Sequence, residues 1–114
     1  MDSAIVFTFT RPAPGREAKA FDAFTEAQTF FGAFTSGNQC EVINVMSPSG
    51  TGYLIVPGKF EDLTELIRTD EFLELYTKTV FAVPDVSYEI GAYGEGVAEW
   101  MARWARIGGE LALL

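Results

Sequence analysis

The stretch CEVINVMSPSGTGYLIV, residues 40 to 56, contains two extended segments on either side of a turn. Residues 40 to 46 alternate between two sets of side chains, and residues 53 to 56 resume the extended pattern. The residues between them, SPSGTG, are all typical of turns. The stretch therefore predicts an antiparallel hairpin. Neither of its two faces is strongly polar.

The residues before this hairpin predict a strand and a helix. Residues 4 to 10 alternate Ile5, Phe7 and Phe9 with side chains of the opposite face, which is a strand pattern. The sequence RPAPG that follows ends the strand, because proline has no backbone donor. From residue 16 to about residue 34 apolar side chains recur every three or four positions, which predicts an amphipathic helix.

The residues after the hairpin predict a broken helix, a strand and a helical tail. Residues 60 to 80 have helical spacing in two pieces, and Thr69 is a natural cap for the second piece. Residues 86 to 93 alternate again and predict a fourth strand. From residue 94 the tail carries apolar side chains at helical spacing, and Gly108-Gly109 predicts an interruption near its end.

This order of elements predicts an α+β fold of the ferredoxin-like βαββαβ type, a four-stranded antiparallel sheet with both helices on one face. The other face would then be uncovered and apolar, which predicts that it pairs with a second copy in a homodimer. At 114 residues we expect a single domain over residues 1–114. Its core would span about 4–93, and a C-terminal helical extension about 95–114.

Charge and composition exclude several classes of function. Sixteen acidic residues against eight basic ones give a net charge of -8, which disfavours nucleic acid and membrane surfaces as partners. The absence of histidine excludes Ser-His-Asp and Cys-His catalysis and histidine-ligated metals, so we expect neither a metal nor a cofactor. The single cysteine, Cys40, and an N-terminus without signal-peptide character predict a cytoplasmic location.

The order, length and composition resemble the dimeric α/β-barrel superfamily, which is ferredoxin-like and includes antibiotic-biosynthesis monooxygenases. The resemblance covers roughly residues 4 to 93. It is strongest at GYLIV (residues 52 to 56), FEDL (60 to 63) and DEF (70 to 72), which look like the third strand running into a broken second helix. It implies two sheets closing into a barrel, with a C-terminal extension that embraces the other subunit.

The same resemblance implies a function class without assigning catalytic residues. Similar proteins include cofactor-independent monooxygenases and cyclases of polyketide biosynthesis, and proteins of unknown function. Branches that use histidine do not fit this chain. The first hypothesis is therefore an enzyme of this cofactor-free kind acting on an apolar aromatic substrate. The alternative is a non-catalytic dimer that binds a ligand or a protein partner.

Two polar residues are candidates for catalysis. Glu89 on the fourth strand would be a general base if it were desolvated, and Asn44 could orient a substrate carbonyl or stabilise an enolate. Each has an ordinary alternative. A strand carboxylate can face solvent or pair with a cation, and an asparagine near a turn can bond a neighbouring backbone group.

The ten phenylalanines and four tyrosines supply candidates for substrate binding. Aromatic rings could line a flat pocket, and tyrosine hydroxyls could bond a phenolic ligand. Plain core packing and interface packing are the alternatives for all of them. The candidate substrate-binding residues are Phe7, Phe24, Phe31, Tyr53, Tyr76 and Tyr88.

Overall fold

The structure, a computed structural model, describes residues 2–113, so Met1 and Leu114 of the expected domain lie outside the described residues. The chain forms an α+β fold, with strands and helices in nearly the predicted alternation. The elements are β1 (Ser3–Phe9), α1 (Glu17–Gly37), β2 (Ile43–Met46), β3 (Gly52–Gly58), α2 (Phe60–Leu66), α3 (Asp70–Ala82), β4 (Ser87–Ala92) and α4 (Glu95–Glu110). The predicted break within the second helix is confirmed and separates α2 from α3.

The four strands form one antiparallel sheet in the order β2-β3-β1-β4. The predicted hairpin of β2 and β3 is confirmed, with Val45 opposite Tyr53. Residues that lie opposite each other in an antiparallel pair share a face of the sheet. Phe7 therefore shares its face with Leu54 on one side and Tyr88 on the other.

Helices α1, α2 and α3 pack on this face, which we call the covered face. Its central side chains from β1 and β3 are buried, together with one or more residues from each of the three helices. The main buried cluster consists of Ile5, Phe7, Phe31, Leu54, Val56, Leu63, Phe72 and Leu75. The main hydrophobic core thus lies between the covered face and these helices.

The break between α2 and α3 has a specific cause in the sequence. Thr69 is the N-cap of α3, and its side-chain oxygen accepts a hydrogen bond from the Phe72 backbone N–H at 3.2 Å. Such a cap typically contributes about 1 kcal/mol. It satisfies one of the free donors at the start of α3 and so fixes where the second piece begins.

Two predicted boundaries are wrong. The second strand begins at Ile43 rather than residue 40, because the Cys40 N–H donates to the Thr35 carbonyl at the end of α1 (3.0 Å). The predicted interruption at Gly108-Gly109 does not occur, and α4 continues to Glu110. Glycine lowers helix propensity by about 1 kcal/mol but keeps its backbone donor and acceptor, so packing or neighbouring residues can override it.

The second face of the sheet, which we call the open face, carries apolar side chains without a covering helix in its centre. Val45 is 55% exposed and Tyr53 is 48% exposed at their opposed positions on β2 and β3. The register places Ile43, Ile55 and Val6 in the next row of the same face. This confirms that both faces of the sheet are apolar around β2, β3 and β1.

Helix α4 is amphipathic and extends from the β4 edge of the sheet. Gly96 is its only buried residue. The α4 stripe, defined as the apolar side chains along one side of the helix and its C-cap, is between 41% and 62% exposed. It consists of Val97, Trp100, Met101, Trp104, Ile107 and Leu111.

The projection of α4 also explains the elongated shape of the chain. The radius of gyration is 16.2 Å, whereas a compact domain of this length has about 13 Å. None of the helices within residues 2–113 combines the length and the apolarity needed to cross a membrane.

We expect Gly96→Ala to lower the free energy of unfolding by about 1–3 kcal/mol, because the added Cβ would collide with the Asp2 carbonyl oxygen where α4 meets β1. Gly109→Ala is the matched control, since a Cβ there meets no atom within 4 Å and alanine favours the helix. Urea unfolding measures both variants. Equal stability of Gly96→Ala and the wild type would contradict the expectation.

Candidate functional site

A cavity of about 340 Å³ lies between the covered face of the sheet and helices α1 and α3. Most of the side chains around it are apolar. They are Phe7, Phe9, Pro12, Ala20, Phe21, Ala23, Phe24, Ala27, Phe31, Met46, Leu54, Phe72, Leu75, Val83 and Val86. Such an apolar concave space is the usual form of a small-molecule site.

The cavity exists because α1 presents small side chains to it. Ala20, Ala23 and Ala27 are three and four positions apart, so they lie on one stripe of the helix. Phe24 and Phe31 of the same helix also line the cavity, and Phe31 is packed into the core. The large rings hold α1 away from the sheet, and the alanines leave the space between them unfilled.

The mouth of the cavity is marked by the lining residues that are exposed, which are Thr10, Glu17, Phe21 and Met46. They come from the loop after β1, the start of α1 and the end of β2. Gly50, at the turn between β2 and β3, also lines the cavity. The mouth therefore lies where this turn approaches the proline-rich loop, which we define as residues 10 to 16 between β1 and α1.

Three contacts hold the proline-rich loop in place. A Cβ on Gly50 would come within 3.8 Å of Arg11, so the turn and the loop lie in close contact. The Arg16 guanidinium donates to the Phe81 carbonyl at the end of α3, and the Ala13 N–H donates to the Ala82 carbonyl at 2.8 Å. The loop is thus fastened to α3 on one side and touches the hairpin on the other.

Three hydroxyl groups belong to residues that line the cavity. The Tyr76 hydroxyl donates to the Val86 carbonyl at 3.2 Å. The Thr79 hydroxyl donates to the Leu75 carbonyl at 2.8 Å, and the Thr10 hydroxyl donates to the Asp85 carboxylate at 2.9 Å. Glu17, at the mouth, is the one charged residue among the described residues that line the cavity.

Aromatic rings form a continuous cluster beside the cavity. The Phe7 and Phe31 ring centroids are 5.2 Å apart, and Phe72 stacks on Tyr76 with an interplanar angle of 6°. Tyr88 packs edge-on against Tyr76, with centroids 5.1 Å apart. Offset and edge-to-face pairs of this kind each contribute about 0.5–1.5 kcal/mol beyond their burial. The rings therefore form a rigid wall.

The structure brings four of the candidate binding residues together and separates the other two. Phe7, Phe24, Phe31 and Tyr76 all line the cavity. Tyr88 lies behind them, since it packs on Phe7 and Tyr76 without lining the space. Tyr53 is on the open face of the sheet, away from the cavity.

The two candidate catalytic residues lie outside the cavity. Asn44 is on the covered face, where its amide exchanges two hydrogen bonds with Gln28 of α1, at 2.7 and 3.1 Å. Glu89 pairs with Val6 across the strands and is exposed on the open face. Neither side chain reaches the site from these positions.

The sequence analysis missed the residues that create the space. The helical spacing predicts an apolar face on this helix, but nothing in an alanine distinguishes a wall of a cavity from a close helix contact. Glu17 and Met46 belong to the mouth only because the β2–β3 turn folds against the loop after β1. This approach is a tertiary contact, so no local sequence pattern indicates it.

The remaining reactive groups do not form a second site. Burial raises the pKa of the Cys40 thiol, whose sulfur donates weakly to the Thr35 and Pro57 carbonyls at 3.6 and 3.5 Å. A raised pKa makes the thiolate nucleophile scarcer. Within residues 2–113 no group of three or more acidic or cysteine side chains is placed to hold a metal ion.

Comparison with known proteins does not assign this chain to a family. No protein-family model matches the chain, and no curated protein matches it in sequence. Three features of the molecule therefore bear on its function: the apolar cavity, the open face and the α4 stripe.

We expect Tyr76 to make stability depend on pH above about 10. Burial raises the pKa of the Tyr76 hydroxyl, and the neighbouring Tyr88 adds to the rise. The unfolded chain then releases this proton at a lower pH than the folded chain, so stability is lost as the pH rises above the unfolded value of about 10.

The measurement compares the free energies of unfolding of the wild type and Tyr76→Phe between pH 8 and 11. The difference in free energy of unfolding between the wild type and Tyr76→Phe should stay constant up to about pH 10 and shrink above it. A difference between the two proteins that is independent of pH throughout would contradict the assignment.

Proposed function

We propose that this protein binds an apolar small molecule in the cavity between the sheet and helices α1 and α3. The observation that carries the proposal is an open cavity of about 340 Å³ whose wall is almost all hydrocarbon. A dry apolar cavity of about 150 Å³ already binds benzene. This cavity is roughly twice as large and suits a molecule of about two fused rings.

The fold we propose for this function is ferredoxin-like, of the dimeric α/β-barrel type. Two interleaved split βαβ units require β3 to lie between β1 and β2, and β1 to lie between β3 and β4. The order β2-β3-β1-β4 and the antiparallel pairing support this arrangement. So does the position of α1 and the α2–α3 pair on the same face.

The homodimer we propose is formed by the open face and completed by α4. Val45, Tyr53 and the side chains of the α4 stripe are between 41% and 62% exposed, and exposed apolar surfaces of this kind typically mark protein interfaces. A second copy supplies the same two surfaces in a symmetric contact. A single cysteine, which cannot form an internal disulfide, supports a reducing cytoplasmic location for this dimer.

A second candidate function is that of a cofactor-independent monooxygenase or cyclase acting on an aromatic substrate. The observation that favours it is the aromatic wall, with the rings of Phe7, Phe31 and Tyr76 at the cavity. Glu17 is exposed at the mouth and is the one carboxylate among the described lining residues. Oxygen uptake with polycyclic phenols would reveal a monooxygenase, and conversion of the added compound to a cyclised product would reveal a cyclase, because a binding protein does neither.

Filling the cavity tests the binding proposal. We expect Ala27→Phe to abolish the binding of methylnaphthalene, measured by titration calorimetry, because the new ring would occupy the space between α1 and the sheet. Ala33→Phe is the matched control on an exposed position of the same helix, and it should bind as the wild type does. Equal binding by Ala27→Phe and the wild type would exclude this cavity as the site.

A charge on the open face tests the dimer. We expect the wild type to sediment at twice the 12.5 kDa mass of the chain at micromolar concentration, and Val45→Glu to sediment as a monomer. The new carboxylate would have to be buried without a partner in the interface, which costs several kcal/mol. Ala33→Glu, outside the open face, should remain a dimer. A monomeric wild type would refute the proposed interface.

A further inference from the structure

The polar atoms of the cavity wall offer more acceptors than donors. The protons of the three lining hydroxyls, those of Tyr76, Thr79 and Thr10, are already donated to protein oxygens. The described lining residues include no lysine, arginine, asparagine, glutamine, serine or tryptophan. Glu17, when ionised, accepts hydrogen bonds and donates none.

Backbone donors beside the enclosed part of the cavity are also engaged. The Val83 N–H donates to the Thr79 carbonyl at 2.7 Å, and the Val86 N–H donates to the Val83 carbonyl at 3.0 Å. At the turn, the Gly50 N–H donates to the Ser47 carbonyl at 3.0 Å. The first turn of α1 has free N–H groups, but its residues are exposed at the mouth, where water competes.

Tyr76 keeps the capacity to accept. A phenolic oxygen that donates its own proton still has lone pairs for an incoming hydrogen bond. Tyr76 is half-buried, and both it and its acceptor residue Val86 line the cavity. An O–H or N–H group of a ligand at this position would have a partner. A carbonyl or carboxylate oxygen of a ligand there would find a donor only if a hydroxyl gave up its hydrogen bond to the protein.

We propose that the cavity selects apolar alcohols and amines over ketones and carboxylates, with the Tyr76 oxygen accepting the ligand's O–H or N–H hydrogen bond. This inference rests on the proposed function, since it concerns the ligand class of the same cavity. An unpaired buried acceptor costs about 1–3 kcal/mol, so a ketone should bind at least about fivefold more weakly than the matched alcohol.

The experiment uses titration calorimetry of the full chain with one skeleton and five substituents. The probes are methylnaphthalene, naphthalenemethanol, naphthalenemethylamine, acetylnaphthalene and naphthoate. In the wild type we expect naphthalenemethanol to bind about fivefold or more tightly than acetylnaphthalene, and naphthoate to bind more weakly still. The amine is compared with the alcohol to distinguish a charged from a neutral donor.

Two tyrosine variants locate the acceptor. In Tyr76→Phe the ratio of alcohol to ketone affinity should fall, because the phenolic oxygen is gone and the Val86 carbonyl that it bonded is the acceptor that remains there. Tyr53→Phe is the matched control, since its side chain lies on the open face, and it should keep the wild-type ratio. If Tyr76→Phe fails to fold, the affinities of the wild type for the five probes still test the proposed selectivity.

The outcomes separate this inference from the proposed function. If methylnaphthalene does not bind, the cavity is not a ligand site and both proposals fail. If methylnaphthalene binds but acetylnaphthalene or naphthoate binds as tightly as naphthalenemethanol, the selectivity proposed here is overturned and the binding function stands. A wild-type alcohol preference that persists in Tyr76→Phe would overturn the role of Tyr76.

Discussion

The contact between Phe31 of α1 and Phe7 of β1 governs the rest of this structure. Phe31 is almost completely buried, and its ring lies 5.2 Å from that of Phe7 on the central strand. Burying two such rings contributes several kcal/mol, and it fixes how far α1 stands from the sheet. At that separation the alanines of α1 cannot reach the strands. The cavity is therefore built into the core packing itself.

A one-sided core also explains the surfaces that remain. With 48% hydrophobic residues, the chain has more apolar surface than one layer of helices can bury. The core at the covered face buries the rings of Phe7, Phe31 and Phe72, and much of the surplus appears on the open face and along α4.

Much of the fold could be predicted from the sequence, and little of the site. Two local signals place their elements correctly. One is the alternation of Ile5, Phe7 and Phe9, which predicts β1. The other is the threonine cap at residue 69, which predicts the start of α3. Phenylalanines at helical spacing predict either a pocket wall or plain core; Phe24 and Phe31 line the cavity, and Phe31 is also part of the buried core. Asn44 could not be placed, because its surroundings depend on Gln28 of α1. Tyr53 could not be placed, because its face depends on the register of the sheet. The strand register and the helix separation decide those surroundings.

The position of the mouth affects the rate at which a ligand would enter and leave the cavity. The turn at Gly50 and the loop at Arg11 and Pro12 lie outside the strands, so moving them apart breaks no rung of the β1–β3 ladder. Loop motions of this kind take nanoseconds to microseconds, whereas opening a buried core requires partial unfolding. If the cavity binds a ligand as proposed, exchange through this mouth would be uncoupled from global stability, and the ligand would leave without loosening of the fold.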